Sequence, residues 1–320
     1  MKAAVLHALG KAPRCEEFAE PAAGKDEAVV RVRAASLKAI DKQLASGSHY
    51  ASPRELPVVC GTDGVGELED GTRVFFGGPR RPYGAMAERT VAPRAFCFPV
   101  PPSIDDDTAA ALPNPGVSAW LSLTHRAKFA PGETVLILGA TGVTGQLAVQ
   151  IAKLLGAKRV IGAGRNARVL GRLREVGADA TIQLDQPGDS LKQAFAREAG
   201  DAGFDVVIDY VWGRPTETLL AAITKSEFAA VTKETRLVQV GESAGPTIAL
   251  PAAVLRSTAL TILGTAGIPP REVLVDAMQQ VMARAARGEL RMETERVPLA
   301  DIERAWQRQG ESGRRIVVIP

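Results

Sequence analysis

The sequence predicts an α/β protein: a strand-rich opening part followed by a doubly wound parallel sheet. Three observations carry this. Short apolar runs broken by glycine and proline fill roughly the first third of the chain. After Pro131-Gly132-Glu133, apolar strands and amphipathic helices alternate regularly. A glycine-rich turn then joins one of those strands to one of those helices.

The elements follow in order. Lys2–Leu6 opens as a strand, residues 28–34 alternate like a half-buried strand, and residues 72–76 follow the turn dipeptide Asp70-Gly71. Residues 84–91 predict a further strand, and this spacing of glycines and prolines suits a small β-barrel. The texture changes at Pro113-Asn114-Pro115, and a helical pattern covers residues 117–123. Thr134–Leu138 is a short apolar strand, 142–155 a helix ended by Gly156, and 159–163 a second strand. Asn166 predicts the N-cap of a helix running to Gly177, with Val169, Leu170, Leu173 and Val176 on one face. Strands are predicted over 204–209, 237–240 and 260–263, then a long helix from Pro269-Pro270 to Gly288. A strand, a helix over 301–309 and a last strand over 315–319 complete the chain and are expected to rejoin its opening part. The domains predicted are 1–115, 116–268 and the returning segment 269–320.

Bulk properties exclude several functions. A chain of 320 residues suggests about two domains. Its 39 Lys and Arg against 36 Asp and Glu make no nucleic-acid or membrane-surface field. No run approaches the roughly 18 apolar residues of a membrane span. The residues after Met1 lack the zones of a secretion signal. Cys15, Cys60 and Cys97 are too scattered for a disulfide framework, so a cytoplasmic protein with reduced thiols is expected.

The strongest chemical signal is Val135-Leu136-Ile137-Leu138-Gly139-Ala140-Thr141-Gly142-Val143-Thr144-Gly145. A buried strand, a glycine turn and a helix start are what a dinucleotide pyrophosphate requires: close backbone approach, then free N–H groups to receive its charge. Ala140, Gly142 and Gly145 take the G-x-G-x-x-G spacing, with Thr141, Val143 and Thr144 between them. An NAD site would carry a carboxylate at the end of the second strand, to hold the ribose hydroxyls. Here that place reads Gly162-Ala163-Gly164-Arg165-Asn166, where small glycines make room and Arg165, helped by Arg168, pairs with a 2′-phosphate. The expected cofactor is therefore NADPH on a Rossmann domain.

The order of further motifs resembles the medium-chain dehydrogenase/reductase superfamily, in its zinc-independent, quinone oxidoreductase-like branch. These motifs are Ala34-Ala35-Ser36-Leu37-Lys38-Ala39-Ile40-Asp41, Cys60-Gly61-Thr62-Asp63-Gly64-Val65-Gly66, Tyr83-Gly84-Ala85-Met86-Ala87-Glu88 and Asn114-Pro115-Gly116-Val117-Ser118-Ala119-Trp120. The resemblance covers essentially the whole chain. It implies a GroES-like β-barrel catalytic domain made from both chain ends, with the Rossmann domain inserted, and a homodimer paired through an edge strand near residues 258–263. Zinc-dependent members carry a catalytic Cys in the first of these segments and Gly-His-Glu in the second. This sequence has neither, and three separate cysteines with three histidines make no local zinc pattern.

The chemistry then expected is hydride transfer to a quinone or to an α,β-unsaturated carbonyl (an enone or enal), where conjugation disperses the incoming charge. A zinc-free alcohol dehydrogenase or carbonyl reductase, and a non-catalytic NADPH-binding protein, are the alternatives on the same scaffold. Lys38 is read as polarising a carbonyl or as a solvated loop lysine, and Asp41 as structural or catalytic. Tyr50 resembles an active-site-loop tyrosine that donates a proton or lines the pocket. Ser118 matches a residue beside the nicotinamide, while Asn114 starts its motif or caps the helix. Tyr210 and Trp212 leave the fourth Rossmann strand at its ligand-binding end, and Val240-Gly241 ends the next, with Gly241 allowing close cofactor approach.

Overall fold

The computed structural model describes residues 1–224, 234–265, 267, 269–308 and 313–320. The domain end predicted at 268 and the helix end predicted at Gln309 lie outside the described residues. The chain divides into two units: Pro115–Ala277, and Met1–Asn114 with Met278–Pro320. The later boundary falls inside the helix Arg271–Ala286. Among the described residues no helix is long and apolar enough to cross a membrane.

The unit Pro115–Ala277 holds six parallel strands in the order Ala180–Gln183, Arg159–Gly164, Thr134–Leu138, Val206–Asp209, Glu234–Gln239, Ala259–Gly264. The chain enters in the middle, works outward to one edge, then returns and works outward to the other. This is the Rossmann order, and it opens a crevice at the carboxyl ends of the two central strands. Side chains alternate across a strand. Leu136 and Leu138 therefore face one core, shared with Leu191, Phe195, Leu219 and Val254 of the helices Gly188–Ala199, Gly213–Ile223 and Ala252–Ser257. Val135 and Ile137 turn to the opposite face and are fully buried too, and the helix Val143–Leu154 packs on this strand. Burial on both faces explains why the strand is a continuous apolar run rather than an alternating one.

Two helices differ from expectation. The helix begun at Pro113 runs to Leu121 and continues as a π-turn over Ser122–Arg126. The one capped by Asn166 is α-helical only over Ala167–Arg172, and Leu173–Val176 tighten into a 3₁₀ turn before Gly177 takes φ 113°.

The other unit is built on the strand Glu27–Leu37. A mixed sheet runs Glu293–Pro298, Arg314–Ile319, Glu27–Leu37, Asp63–Glu67, Arg73–Gly77, Cys97–Pro99, and Arg89–Pro93 also pairs with Glu27–Leu37. The register Ile316↔Leu37, Val317↔Ser36, Val318↔Ala35 ties the end of the chain to its beginning, as the returning segment predicted. The strand expected over 84–91 is shorter, Arg89–Pro93. Residues 84–87 are instead buried and bonded to two neighbours at once: Ala4 N donates to Met86 O (2.8 Å), while Ala85 and Met86 N–H donate to Gly61 O and Cys60 O (2.9 Å each). A Cβ on Gly84 would lie 2.3 Å from Val59 O, so the close approach requires glycine there.

Candidate functional site

In the Rossmann unit the glycine loop is fixed by its neighbouring strand. Gly139 and Ala140 N–H both donate to Ala163 O (2.9 and 2.8 Å), and Gly142 N–H turns back to Gly139 O (3.0 Å). Gly142 is the N-cap of the helix Val143–Leu154 and brings no side-chain cap. The first N–H groups of that helix, on Val143, Thr144 and Gly145, consequently have no intrahelical acceptor. Ala140 is fully buried beneath the loop, while Val143 and Thr144 are half-buried. A Cβ on Gly145 would meet Gly139 O at 2.3 Å, which is why helix and loop pack only with glycine there.

The second strand brings its own groups to this loop. A Cβ on Gly164 would lie 2.4 Å from Thr141 Cγ2, so the threonine side chain lies across the glycine. Arg165 and Arg168 follow, both exposed, and neither pairs with a carboxylate among the described residues. Asn166 Oδ1 accepts from Val169 N–H (3.1 Å), which spends that oxygen on capping. Gln183 Nε2 donates to Arg165 O (2.6 Å) and steadies the strand end.

Tyr210, Trp212, Val240 and Gly241 come together at the carboxyl ends of adjacent strands. Val240 and Gly241 N–H both donate to Asp209 O (2.8 and 3.1 Å). A Cβ on Gly241 would sit 2.7 Å from Tyr210 O, and one on Gly139 would sit 3.1 Å from Tyr210 Cβ, so this turn adjoins the glycine loop. Its organiser is Asp209, which the sequence reading passed over. Fully buried, its Oδ1 accepts from Val211 and Trp212 N–H (2.8 Å each) and its Oδ2 from Thr216 Oγ1 (2.5 Å). Burial pushes this carboxyl above its ordinary range, against those hydrogen bonds. The bonds hold Trp212 at φ 55°, a left-handed value costly for a non-glycine residue. The Tyr210 hydroxyl is buried with no partner among the described residues, and burial pushes it up. Ser118 is half-buried on the helix Pro113–Leu121, and its carbonyl accepts from Ser122 Oγ (2.8 Å).

In the mixed-sheet unit Lys38 and Asp41 meet, and Asp63 joins them. Lys38 follows the central strand and is the N-cap residue of the helix Ala39–Ser46. Only 3% exposed, its ammonium donates to Ser36 O (2.9 Å), Ser36 Oγ (3.2 Å) and Asp63 Oδ1 (2.9 Å), and lies 3.4 Å from Asp41 Oδ2. Both sequence readings of Lys38 are thereby corrected: it is not solvated, and an ammonium has three protons, already directed at protein acceptors. Asp41 accepts from Lys38 N–H (2.8 Å) and Thr62 N–H (3.0 Å), which makes it the clamp between the two motif segments. Asp63 Oδ2 accepts from Asn114 Nδ2 (3.0 Å) and Thr62 Oγ1 (3.3 Å). Asn114 thus bonds a carboxylate rather than capping a helix.

A cavity of about 160 Å³ adjoins this cluster, lined among others by Asp41, Leu44, Val58, Cys60 and Thr62. Tyr50 lies apart from the cluster. It is 96% exposed, stacks on His49 with ring centroids 4.1 Å apart, and borders a second, more open cavity of about 770 Å³ with Arg54, Leu56 and Arg81. Cys60 is a buried thiol whose ionisation burial pushes far up. Among the described residues no group of three or more His, Cys, Asp or Glu is placed to hold a metal ion. Thr62 and Asp63 escaped the sequence reading. The available signal was a carboxylate opening the buried, glycine-rich strand Asp63–Glu67, together with a lysine directly after the buried stretch Ala34-Ala35-Ser36-Leu37.

Comparison with known proteins agrees with this geometry. The family model described as zinc-binding dehydrogenase matches residues 143–286. The quinone oxidoreductase-like protein 2 homolog of Nematostella vectensis is 29% identical over 265 residues, spanning 79% of this chain and 69% of its own length. The quinone oxidoreductase-like protein 2 of Rattus norvegicus is 27% identical over 273 residues, spanning 82% of this chain and 74% of its own. Among solved structures, the quinone oxidoreductase from Thermus thermophilus, also solved in its complex with NADPH, is 28% identical with a TM-score of 0.81, covering 100% of both chains. With the glycine loop, the sheet order and the returning C-terminal strand all in place, the chain belongs to the medium-chain dehydrogenase/reductase superfamily, in its quinone oxidoreductase-like branch.

Proposed function

We propose that this chain is an NADPH-dependent oxidoreductase that passes hydride, without a metal ion, to a quinone or an α,β-unsaturated carbonyl. The observation that carries the reading is the uncapped helix start at Gly142 beside two arginines with no carboxylate partner, Arg165 and Arg168. NADPH fits these residues. The N–H groups of Val143, Thr144 and Gly145 receive the pyrophosphate, and the bare surface of Gly139 and Gly142 lets it approach. Arg165 takes the 2′-phosphate with a charge-assisted bond, and Arg168 adds to the field. Tyr210 stands with its Cβ beside Gly139 of the glycine loop and its backbone against Gly241, its buried hydroxyl has no partner among the described residues, and Trp212 and Val240 flank this turn. Ser118 is assigned to the nicotinamide half on the strength of its motif. The solved Thermus relative in complex with NADPH supports the choice of dinucleotide.

Zinc does not fit this donor set. An ammonium already stands 2.9 Å from Asp63 Oδ1 and 3.4 Å from Asp41 Oδ2, and zinc favours thiolate and imidazole ligands. NADPH, when bound, supplies the hydride. The protein excludes water and orients the acceptor, and its polar groups steady the negative charge that develops there. Conjugated acceptors suit this arrangement because the charge reaches an oxygen remote from the attacked carbon. The homodimer is proposed through the edge strand Ala259–Gly264, and a reducing compartment such as the cytoplasm accords with three free cysteines.

The deciding experiment follows NADPH absorbance with a panel of quinones, enones and simple ketones. Quinones or enones should be consumed and ketones left. Turnover of ketones alone would make the chain a carbonyl reductase, and tight NADPH binding with no turnover would make it a non-catalytic binder.

A further inference from the structure

In the mixed-sheet unit the hydrogen bonds run from a buried cation to a cavity wall. Lys38 Nζ donates to Asp63 Oδ1 (2.9 Å), and Thr62 Oγ1 donates to Asp63 Oδ2 (3.3 Å). Thr62 lines the cavity of about 160 Å³, whereas Lys38 and Asp63 do not. Thr62 is held in place by its own N–H, which donates to Oδ1 of Asp41 (3.0 Å), a carboxylate that also lines the cavity. Of the three members of this line, Thr62 is the one a ligand in the cavity can touch. Burying two carboxylates and an ammonium is costly, and an apolar set of the same volume would serve stability as well. The arrangement calls for a chemical reason.

That reason lies in the proton count. A threonine hydroxyl has one proton, and an ionised carboxylate only accepts. While Asp63 is ionised, the Thr62 proton is committed to it, and only hydroxyl lone pairs remain for a ligand. When Asp63 carries a proton on Oδ2, the bond reverses and the Thr62 proton becomes available to an acceptor in the cavity. Quinones and enones bring only acceptors; their reduced products bring a hydroxyl or an enol.

We propose that Thr62 and Asp63 form the proton path of the reduction, with Thr62 the group that touches the substrate and Lys38 a positioning residue. This rests on the reductase reading above. Once the acceptor has gained its electron pair, its oxygen takes the Thr62 hydroxyl proton, and Thr62 Oγ1 regains one from Asp63 Oδ2. One O–H bond forms on the product, one is exchanged on Thr62 and one is lost from Asp63. The carboxylate left behind pairs with the Lys38 ammonium, and solvent reloads Asp63. In the oxidative direction the same protons run backward.

The surroundings of Asp63 are consistent with loading. Burial pushes its carboxyl above the ordinary aspartate range, against the pull of Lys38, with Asp41 adding to the rise and Arg315 of the last strand opposing it. Cys60, close by, is kept neutral by burial. The sign follows: the loaded form is full below this raised value and is lost as pH rises through it. Reduction should therefore slow with rising pH across that window.

Two measurements test the path. With an acceptor that the wild type turns over, Thr62→Val should lower kcat about 100-fold, the scale of general acid catalysis, with the KM for NADPH unchanged. Thr62→Ser should keep most of the rate, and Asp63→Asn should lose the pH limb. Independently of turnover, carboxyl ¹³C NMR should show an aspartate other than the buried Asp209 titrating above the ordinary range, assigned to Asp63 by its absence in Asp63→Asn. If that variant does not fold, the resonance is assigned by its displacement in Thr62→Val. A wild-type kcat in Thr62→Val, or an Asp63 carboxyl titrating in the ordinary range, would overturn the path. A wild type inactive toward every electrophile would sink the reductase reading instead, and the titration would still decide whether Asp63 holds a proton.

Discussion

At the scale of single residues, cofactor choice comes down to one guanidinium. Arg165 stands exposed after Gly164 and has no carboxylate partner among the described residues, so its charge is not already neutralised. A hydrogen bond to a charged group contributes about 1.5–3 kcal/mol. Arg165→Ala should accordingly weaken NADPH by roughly 10- to 150-fold and leave NADH nearly unchanged, as read by calorimetric titration of both. Equal losses for the two cofactors would show that Arg165 holds something common to both. This residue was legible because charge selection needs only a missing acid and a present base at one strand end. Lys38 was not legible in the same way. Its sequence neighbours give no sign of Asp63, which lies 25 positions away and reaches it only through the strand pairing Ala35↔Gly64. Tyr50 was legible only in part: its motif match left a proton donor or a pocket-lining ring open, and the chain places it 96% exposed on the border of the second cavity.

At the scale of elements, the strand–turn–helix from Thr134 to Leu154 works because two backbones approach closer than a side chain allows. Gly145 is the tightest point, where a Cβ would fall 2.3 Å from Gly139 O and 2.6 Å from Ala140 Cα, both backbone atoms. Since backbone cannot rotate away, Gly145→Ala must push the helix start off the loop, at about 1–3 kcal/mol for overpacking. The expected result is a lower thermal midpoint together with weaker NADPH binding, and scanning fluorimetry with and without cofactor checks both. An unchanged midpoint and an unchanged shift on adding NADPH would mean that the loop is not the phosphate site. This element was the most readable part of the chain, since each glycine has a local reason. The turn from Tyr210 to Gly213 was only half readable. Its aromatic residues were conspicuous, but Trp212 in the left-handed region depends on two N–H bonds to the buried Asp209 carboxylate. A carboxylate ending an apolar strand reads equally well as a turn residue. Residues 84–87 were misread as strand because their apolar alternation is real, yet it serves bonds to two different segments.

At the scale of the whole molecule, the order of elements was predictable because parallel strands need helical crossovers of a certain length, and the sequence supplies them. What periodicity alone does not convey is where the sheet stops. Ala259–Gly264 is an outermost strand, paired with Glu234–Gln239 on one side only. Its four central residues remain half-buried, which is unusual protection for an open edge and invites pairing with another strand. In a twofold dimer each copy would offer this same strand, so the two six-stranded sheets would join into one. Leu260 and Ile262 pack on the helix-covered core, whereas Leu263 belongs to the other face of the strand and can be changed with less harm to the fold. Leu263→Lys places a charge on that edge, and burying an unpaired charge at an interface costs more than a single strand pairing returns. Size-exclusion chromatography with light scattering should find the wild type near twice the 33.8 kDa chain mass and Leu263→Lys near the chain mass itself. Cofactor affinity should survive in the variant, because the glycine loop and Arg165 lie on strands at the middle and the opposite side of the sheet. A wild type that elutes at the mass of one chain would remove the dimer, and would leave the half-buried edge to be explained by the fold of the single chain.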